Sequence, residues 1–233
     1  MFVTPTGWSS KETAREIKQR LQEIGVDVES EDTVVVSTGY GRVAVDFSDY
    51  VITEITCHGE GGKRLFENDC TIIDIGGQDT KIIIVENGVV TDFIMNDKCS
   101  AGTGKFVEIM ANRLGYDISE LFESASKGKV LPISSLCTVF AESEIINYIG
   151  QGNDRHDIAA GVVDSVAMKV SQLCSRKNIT DDVILTGGLS DNEFFAGILS
   201  KKIKRDVKTF KLGRYAGALG ASYIAEKKSK KRK

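Results

Sequence analysis

Proline is nearly absent, at 2 in 233 residues, and so are histidine, at 2, and tryptophan, at 1. So little proline excludes a linker array or a low-complexity chain. The two histidines are poorly placed in sequence to serve any cysteine, so no hydrolytic triad is credible. No run approaches the ~20 apolar residues of a membrane span. The start has no basic segment leading into an apolar one, and so does not read as a signal peptide. A dominant charge is missing too: Lys and Arg number 30 against 33 Asp and Glu, for a net −3. No global field therefore favours nucleic acid. Cysteines are few, odd in number at 5 and widely spaced, which argues against a disulfide scaffold and for a reducing, cytoplasmic setting. What is present is ordinary globular material, 41% hydrophobic and 27% charged, enough to build a core as one domain or two lobes. The basic tail over 227–233 reads as a solvated, frayed terminus.

Along the chain, Ala14, Ile17, Leu21 and Ile24 fall at helical spacing over 9–24, with Ser9 or Ser10 as cap and Gly25 as stop. A short strand follows over 34–38. A helix over 52–66 carries Gly59, Gly61 and Gly62. Three strand-like runs occupy 70–75, 80–86 and 89–95, the last two joined by Asn87-Gly88, a strong hairpin signal. Helices are expected over 104–114 and 139–149. A strongly periodic helix follows over 157–176, with Ile158, Val162, Val166, Val170 and Leu173 on one face. Then come a strand over 183–186, a helix over 192–203, a strand near 207–210 and a small-residue helix at 216–221, suited to close packing. This alternation is an α/β pattern.

Three motifs carry chemistry. Asp74-Ile75-Gly76-Gly77-Gln78-Asp79 joins strand to strand, unlike a Rossmann or Walker loop, whose glycines lead into a helix. Its glycines can offer backbone N–H groups to a phosphate, and its carboxylates can hold magnesium through water. Equally, it is a tight hairpin whose aspartates cap N–H groups; on local sequence both readings stand. Thr186-Gly187-Gly188 ends a strand and offers a flat surface for a base and ribose, or an ordinary strand-to-helix turn. Cys99 and Cys137 each precede a helical run and are surrounded by hydroxyl and small residues. A helix N-terminus favours thiolate over thiol. Two thiolates are half of an iron–sulfur ligand set, and a symmetric dimer supplies four. Cys174 and Cys70 read as core. The adjacent Cys57-His58 pair reads as structural, and His156 as solvated.

Together these residues resemble one family, the ATP-dependent activators of 2-hydroxyacyl-CoA dehydratases, with the related ATPase subunits of benzoyl-CoA reductase. The matching stretches are Ser37-Thr38-Gly39-Tyr40-Gly41-Arg42, Thr56-Cys57-His58, Ile73 to Asp79, Met95-Asn96-Asp97-Lys98-Cys99-Ser100-Ala101-Gly102-Thr103-Gly104, Cys137 to Glu144, Thr186-Gly187-Gly188 and Gly217-Ala218-Leu219-Gly220-Ala221. They span nearly the whole chain. The resemblance implies an actin/hexokinase/Hsp70-like ATPase fold of two lobes. The first lobe is expected over 1–66, completed by 213–233, and the second over 67–212. It also implies a homodimer with one 4Fe–4S cluster on its two-fold axis, held by Cys99 and Cys137 of each subunit. ATP or ADP with Mg2+ would bind through Gly76, Gly77, Asp79, Gly102, Gly104, Gly187, Gly188 and Gly217. Asp74, Gln78 and Glu142 would serve hydrolysis. The implied activity is ATP-driven transfer of a low-potential electron to a dehydratase or reductase partner, with reduced ferredoxin or flavodoxin as donor.

One departure is visible. The family opens with a first phosphate hairpin of the Gly-Ile-Asp-x-Gly-Ser type, whereas this sequence begins on residues similar to the end of the family's third strand. The first lobe is therefore expected to lack that hairpin and to leave apolar surface uncovered, either because the start codon lies further upstream or because this is a truncated form. Two rival readings follow. A sugar or small-acid kinase of the same fold would not need the two thiolates. A non-hydrolysing iron–sulfur scaffold would fit a single phosphate loop.

Overall fold

A computed structural model describes residues 1–134 and 137–232; Ser135 and Leu136, from the hydroxyl-rich run before Cys137, and Lys233 lie outside the described residues. The N-terminal part holds helix α1 (Ser10–Glu23), two-residue strands β1 (Val36–Ser37) and β2 (Tyr50–Val51), and helix α2 (Glu54–Leu65). Ser9 is the cap of α1, accepting from the Glu12 backbone N–H at 3.4 Å. The expected strand over 34–38 shrinks to the two residues that pair in parallel with β2.

Strands β3 (Cys70–Ile75), β4 (Thr80–Glu86) and β5 (Val89–Asn96) form the expected meander. Asn87 and Gly88 make its turn with φ of 52° and 72°, the left-handed pair that a two-residue hairpin demands. Helices α3 (Gly104–Leu114), α4 (Ile118–Ala125), α5 (Thr138–Gly150) and α6 (Arg155–Cys174) follow. Strand β6 (Val183–Gly187), helix α7 (Glu193–Ile203), strand β7 (Val207–Lys208) and helix α8 (Ala216–Arg232) complete the chain. Helix α4 was not anticipated, although its signal was in the sequence: Asp117 and Glu120 form a reciprocal capping box.

The five-stranded sheet has the order β5-β4-β3-β6-β7, with β3 antiparallel to β4 and parallel to β6. Strands β3, β4 and β6 are buried on both faces, which explains their continuous apolar runs. One face packs Ile73, Ile75, Ile82 and Leu185 against α3, α4, α6 and α7. The other packs Cys70, Ile72, Ile83, Val85 and Ile184 beneath α2.

Helix α8 lies on α2. The crossing depends on missing side chains: a Cβ at Gly220 would stand 1.8 Å from the Cys57 carbonyl oxygen, and one at Gly61 would stand 2.0 Å from that of Ala216. The small-residue helix is thus a close-packing face, as its composition indicates. It also runs on through the basic tail, contrary to the frayed terminus expected there. Lys227 pairs with Glu60 at 2.7 Å, and Arg232 pairs with Asp49 at 2.8 Å beside the Tyr50 ring. Trp8, Tyr40 and Val43 of the N-terminal part are exposed, at 91%, 82% and 80%.

Candidate nucleotide site and cysteine loop

Strand register builds the site. Asp74 lies opposite Lys81 on β4 and opposite Thr186 on β6. Residues directly across a sheet share a face, so the three side chains meet beneath α2. Helix α2 contributes Glu54 and His58, one turn apart on the same side. Asp74 is buried. Its Oδ1 accepts from the Thr186 hydroxyl at 3.2 Å, and its Oδ2 stands 3.6 Å from both Lys81 Nζ and His58 Nε2. His58 Nδ1 lies 3.5 Å from the Thr186 hydroxyl.

Lys81 is 2% exposed. Its ammonium reaches Asp79 Oδ1 at 2.6 Å and Glu54 Oε2 at 3.1 Å as well as Asp74. Burial works against its charge, but Asp74, the bond to Asp79 and the Glu54 carboxylate outweigh it and hold its pKa above the ordinary lysine value. The strand over 80–86 was in the sequence, but its register against Asp74 was not. What was not legible was that a lysine inside an isoleucine-rich strand would face inward, or that His58, read as structural, would sit against Asp74.

The glycine hairpin closes on itself through Gly76 N–H donating to the Asp79 carbonyl at 2.9 Å. Its outward carbonyls are also engaged. Gly104 N–H donates to the Gly76 carbonyl at 2.9 Å, and Lys105 N–H donates to that of Gly77 at 2.8 Å. The first turn of α3 is therefore capped by the hairpin rather than pointed at a cysteine. This corrects the placement of Cys99 at a helix start: Thr103 is the N-cap of α3, and a turn over 100–102 separates it from Cys99. Cys137, by contrast, is the N-cap residue of α5.

The Cys99 turn is tied down from three sides. Asn96 Nδ2 donates to the carbonyls of Cys99 at 2.8 Å and Ala101 at 3.0 Å. The Thr80 hydroxyl donates to the Gly102 carbonyl at 2.7 Å. The Ser100 and Thr138 hydroxyls are 2.6 Å apart, joining the residues that immediately follow Cys99 and Cys137. The structure thus brings the two cysteine segments together, and both cysteines are half-buried. Among the described residues no three His, Cys, Asp or Glu side chains converge as a metal site.

A cleft of about 750 Å³ opens between the hairpin and this turn. Gly76, Gly77, Gln78, Gly104 and Gly188 line one part of it, and Lys98, Cys99 and Ser100 another. Lys105 and Arg214 bring positive charge to it against Asp97 and Glu108, the latter paired with Lys105 at 3.0 Å. Gly187 turns with φ of 83° directly over the end of β3, where a Cβ would stand 2.4 Å from the Ile75 carbonyl oxygen. Four expected nucleotide-side residues are not among those lining the cleft: Gly187, Gly217, Gly102 and Asp79, the last bonded to Lys81. Gly217 packs on the His58 ring, and Gly102 lines a smaller cavity of about 220 Å³ with Lys169. Glu142 is not among the cleft-lining residues; its carboxylate pairs with Arg113 of α3. His156, expected to be solvated, shares a 2.9 Å hydrogen bond between its Nδ1 and the Ser124 hydroxyl. The thiols of Cys70 and Cys174 are core, and burial pushes them up to about 11 and about 12.

A family model described as the BadF/BadG/BcrA/BcrD ATPase family matches residues 5–225. The (R)-2-hydroxyglutaryl-CoA dehydratase activating ATPase of Acidaminococcus fermentans is 43% identical over 232 residues, covering 98% of this chain and 88% of that protein. The crystal structure of that dehydratase's component A superposes with a TM-score of 0.88 at 43% identity, over 96% of this chain and 87% of the other. The activator of the 2-hydroxyisocaproyl-CoA dehydratase from Clostridium difficile, solved with bound ADPNP, superposes with a TM-score of 0.87 at 35% identity, over 99% of this chain and 84% of the other. The architecture is that of the actin/hexokinase/Hsp70-like ATPases.

Proposed function

The chain belongs to the BadF/BadG/BcrA/BcrD ATPase family, and from that membership we propose that it is an ATP-driven activator. It delivers a low-potential electron to an enzyme of the 2-hydroxyacyl-CoA dehydratase or benzoyl-CoA reductase type, and takes that electron from reduced ferredoxin or flavodoxin. ATP or ADP occupies the 750 Å³ cleft. Gly77 offers its backbone N–H to the phosphates while Gly76, bonded to Asp79 and Gly104, holds the turn that presents it; Gly187 and Gly188 border the adenosine, and Lys105 and Arg214 offset phosphate charge. Asp74 and Asp79 hold the nucleotide's Mg2+ in this reading. The Lys81 ammonium already stands among these carboxylates, so the donor set suits a cation. Gln78, at the cleft wall, orients the attacking water; Glu142, held by Arg113, is the weaker candidate.

Cys99 and Cys137 from each of two subunits make the four thiolates of a 4Fe–4S site. The bound cluster supplies one-electron chemistry at low potential. The chain's own residues set the environment of those thiolates. Asn96 and Thr80 fix the backbone of the Cys99 turn, and the Ser100–Thr138 hydroxyl contact holds the two cysteine segments in register.

The observation that carries this reading is that hairpin and cysteine turn are one hydrogen-bonded unit. The hairpin carbonyls cap α3, and α3 leaves the turn that holds Cys99. A nucleotide that moves the hairpin therefore moves Cys99, a short mechanical path rather than a long-range one. The test is anaerobic purification with iron and sulfide analysis. A brown dimer absorbing near 400 nm, with colour lost in Cys99→Ser and in Cys137→Ser and with ATP hydrolysis, is expected. A colourless ATPase that phosphorylates a sugar or small acid would establish the kinase instead.

A further inference from the structure

Lys81 is surrounded by more negative charge than it can neutralise. Asp74, Asp79 and Glu54 all lie within 3.6 Å of its Nζ. Asp74 and Asp79 belong to the phosphate hairpin, whereas Glu54 opens α2. Glu54 is also the most exposed of the three carboxylates, its side chain 25% accessible against 5% for Asp74 and 17% for Asp79. One buried ammonium thus stands between two elements, and both can hold it.

We infer that Lys81 is a positioning residue: an internal counter-ion that holds Asp74 and Asp79 while no metal is at the hairpin, and passes to Glu54 when a nucleotide brings a divalent cation. The inference rests on the nucleotide reading above and adds a route out of the site. A cation at the hairpin carboxylates repels the ammonium and takes over its partners. Glu54 is then the acceptor left within reach, so metal arrival strengthens the tie between β4 and the first turn of α2. Helix α2 packs on α8 through glycine contacts that leave no slack. A shift of Lys81 at the β3–β4 end therefore reaches the α2–α8 pair by direct contact. His58 supports the geometry from the same helix. It touches Asp74 and Thr186 on one side, and its ring fills the space over Gly217 of α8 on the other.

The inference is tested by ADP titration of the full chain, once with Mg2+ and once with a chelator, taking the ratio of the two affinities. In Lys81→Met only a metal can neutralise the hairpin, so the ratio rises about tenfold or more over wild type, and Lys81→Arg restores it to within about threefold. In Glu54→Gln the ammonium loses its second partner and yields less readily, so the ratio falls by about threefold. Wild type shows altered hydrogen exchange in α2 on adding Mg2+ and ADP, and Glu54→Gln does not. Equal loss of both affinities in Lys81→Met, with the ratio unchanged, overturns the inference and leaves Lys81 a packing group. If Lys81→Met does not fold, Glu54→Gln decides: an unchanged or raised ratio overturns it. If wild type binds ADP under neither condition, it is the nucleotide reading that fails.

Discussion

Two alanine substitutions of helical glycines should act in opposite directions. Gly220 lies in α8 at the crossing with α2. A Cβ there would stand 1.8 Å from the Cys57 carbonyl oxygen and 2.8 Å from Gly61 N. Both obstacles are backbone, so no rotamer change relieves them. Restoring ordinary contact requires the helices to part by roughly 1.5–2 Å, which forfeits much of their mutual packing. Overpacking of this kind costs about 1–3 kcal/mol or more, against a helix-propensity gain of about 1 kcal/mol for Gly→Ala. With the cost at the upper end because both obstacles are backbone, Gly220→Ala is expected to destabilise by about 1–2 kcal/mol net and to lower Tm by about 2–8 °C for a chain of this size. Gly197, in α7, is exposed and has nothing within 4 Å of its Cβ position. Gly197→Ala keeps only the propensity gain, about 1 kcal/mol, and should raise Tm by about 2–4 °C. Circular-dichroism melts and urea titrations of the two variants beside wild type measure this. If Gly220→Ala melts at or above wild type, α2 and α8 are not held at glycine distance, and the coupling of α2 to the site loses its basis.

Asp74→Asn removes a carboxylate that faces Lys81, His58 and Thr186, and should weaken Mg2+-dependent ADP binding by about tenfold to a hundredfold; calorimetry showing unchanged affinity would take Asp74 out of the site. At pH 8 an alkylating reagent should leave Cys57, Cys70 and Cys174 unmodified until denaturant is added, since burial raises all three thiols; rapid native labelling of Cys174 would contradict its place in the core. Stability should fall above the unfolded thiol pKa of ~8.5, because native Cys70 and Cys174 keep protons that the unfolded chain releases. Their folded values of about 11 and about 12 place the loss between that point and the far alkaline range, at on the order of 1.4 kcal/mol per pH unit for each thiol. Urea midpoints that do not move between pH 8 and pH 10 would refute it.

The meander over 70–95 was legible because Asn87-Gly88 dictates its turn and the isoleucine runs dictate burial. Helix α6 was legible from its period. The short strands β1 and β7 were legible as places but not in length, and β2 was not legible at all, because two-residue pairings leave no alternation to read. The site was legible in its glycines and in Asp74, where motif chemistry is local. It was not legible in Lys81, His58 and Arg214, which come to the site through strand register and helix docking. A lysine between threonine and isoleucines carries no mark of facing inward; only the pairing of Lys81 with Asp74 places it there. The helix-start argument for Cys99 failed for a related reason. The residue that caps a helix depends on which loop's carbonyls accept from its first N–H groups, and here that loop is the glycine hairpin.

The central claim is that one cleft joins the phosphate hairpin to the Cys99 turn. It is tested most directly by the alkylation rate of Cys99 in cluster-free protein, with and without saturating Mg2+ and ADP, the modified residue being located by peptide mass analysis. Cys99 lines the cleft itself, so bound nucleotide is expected to slow its modification about tenfold. An unchanged rate in protein shown by titration to be nucleotide-bound would contradict the claim.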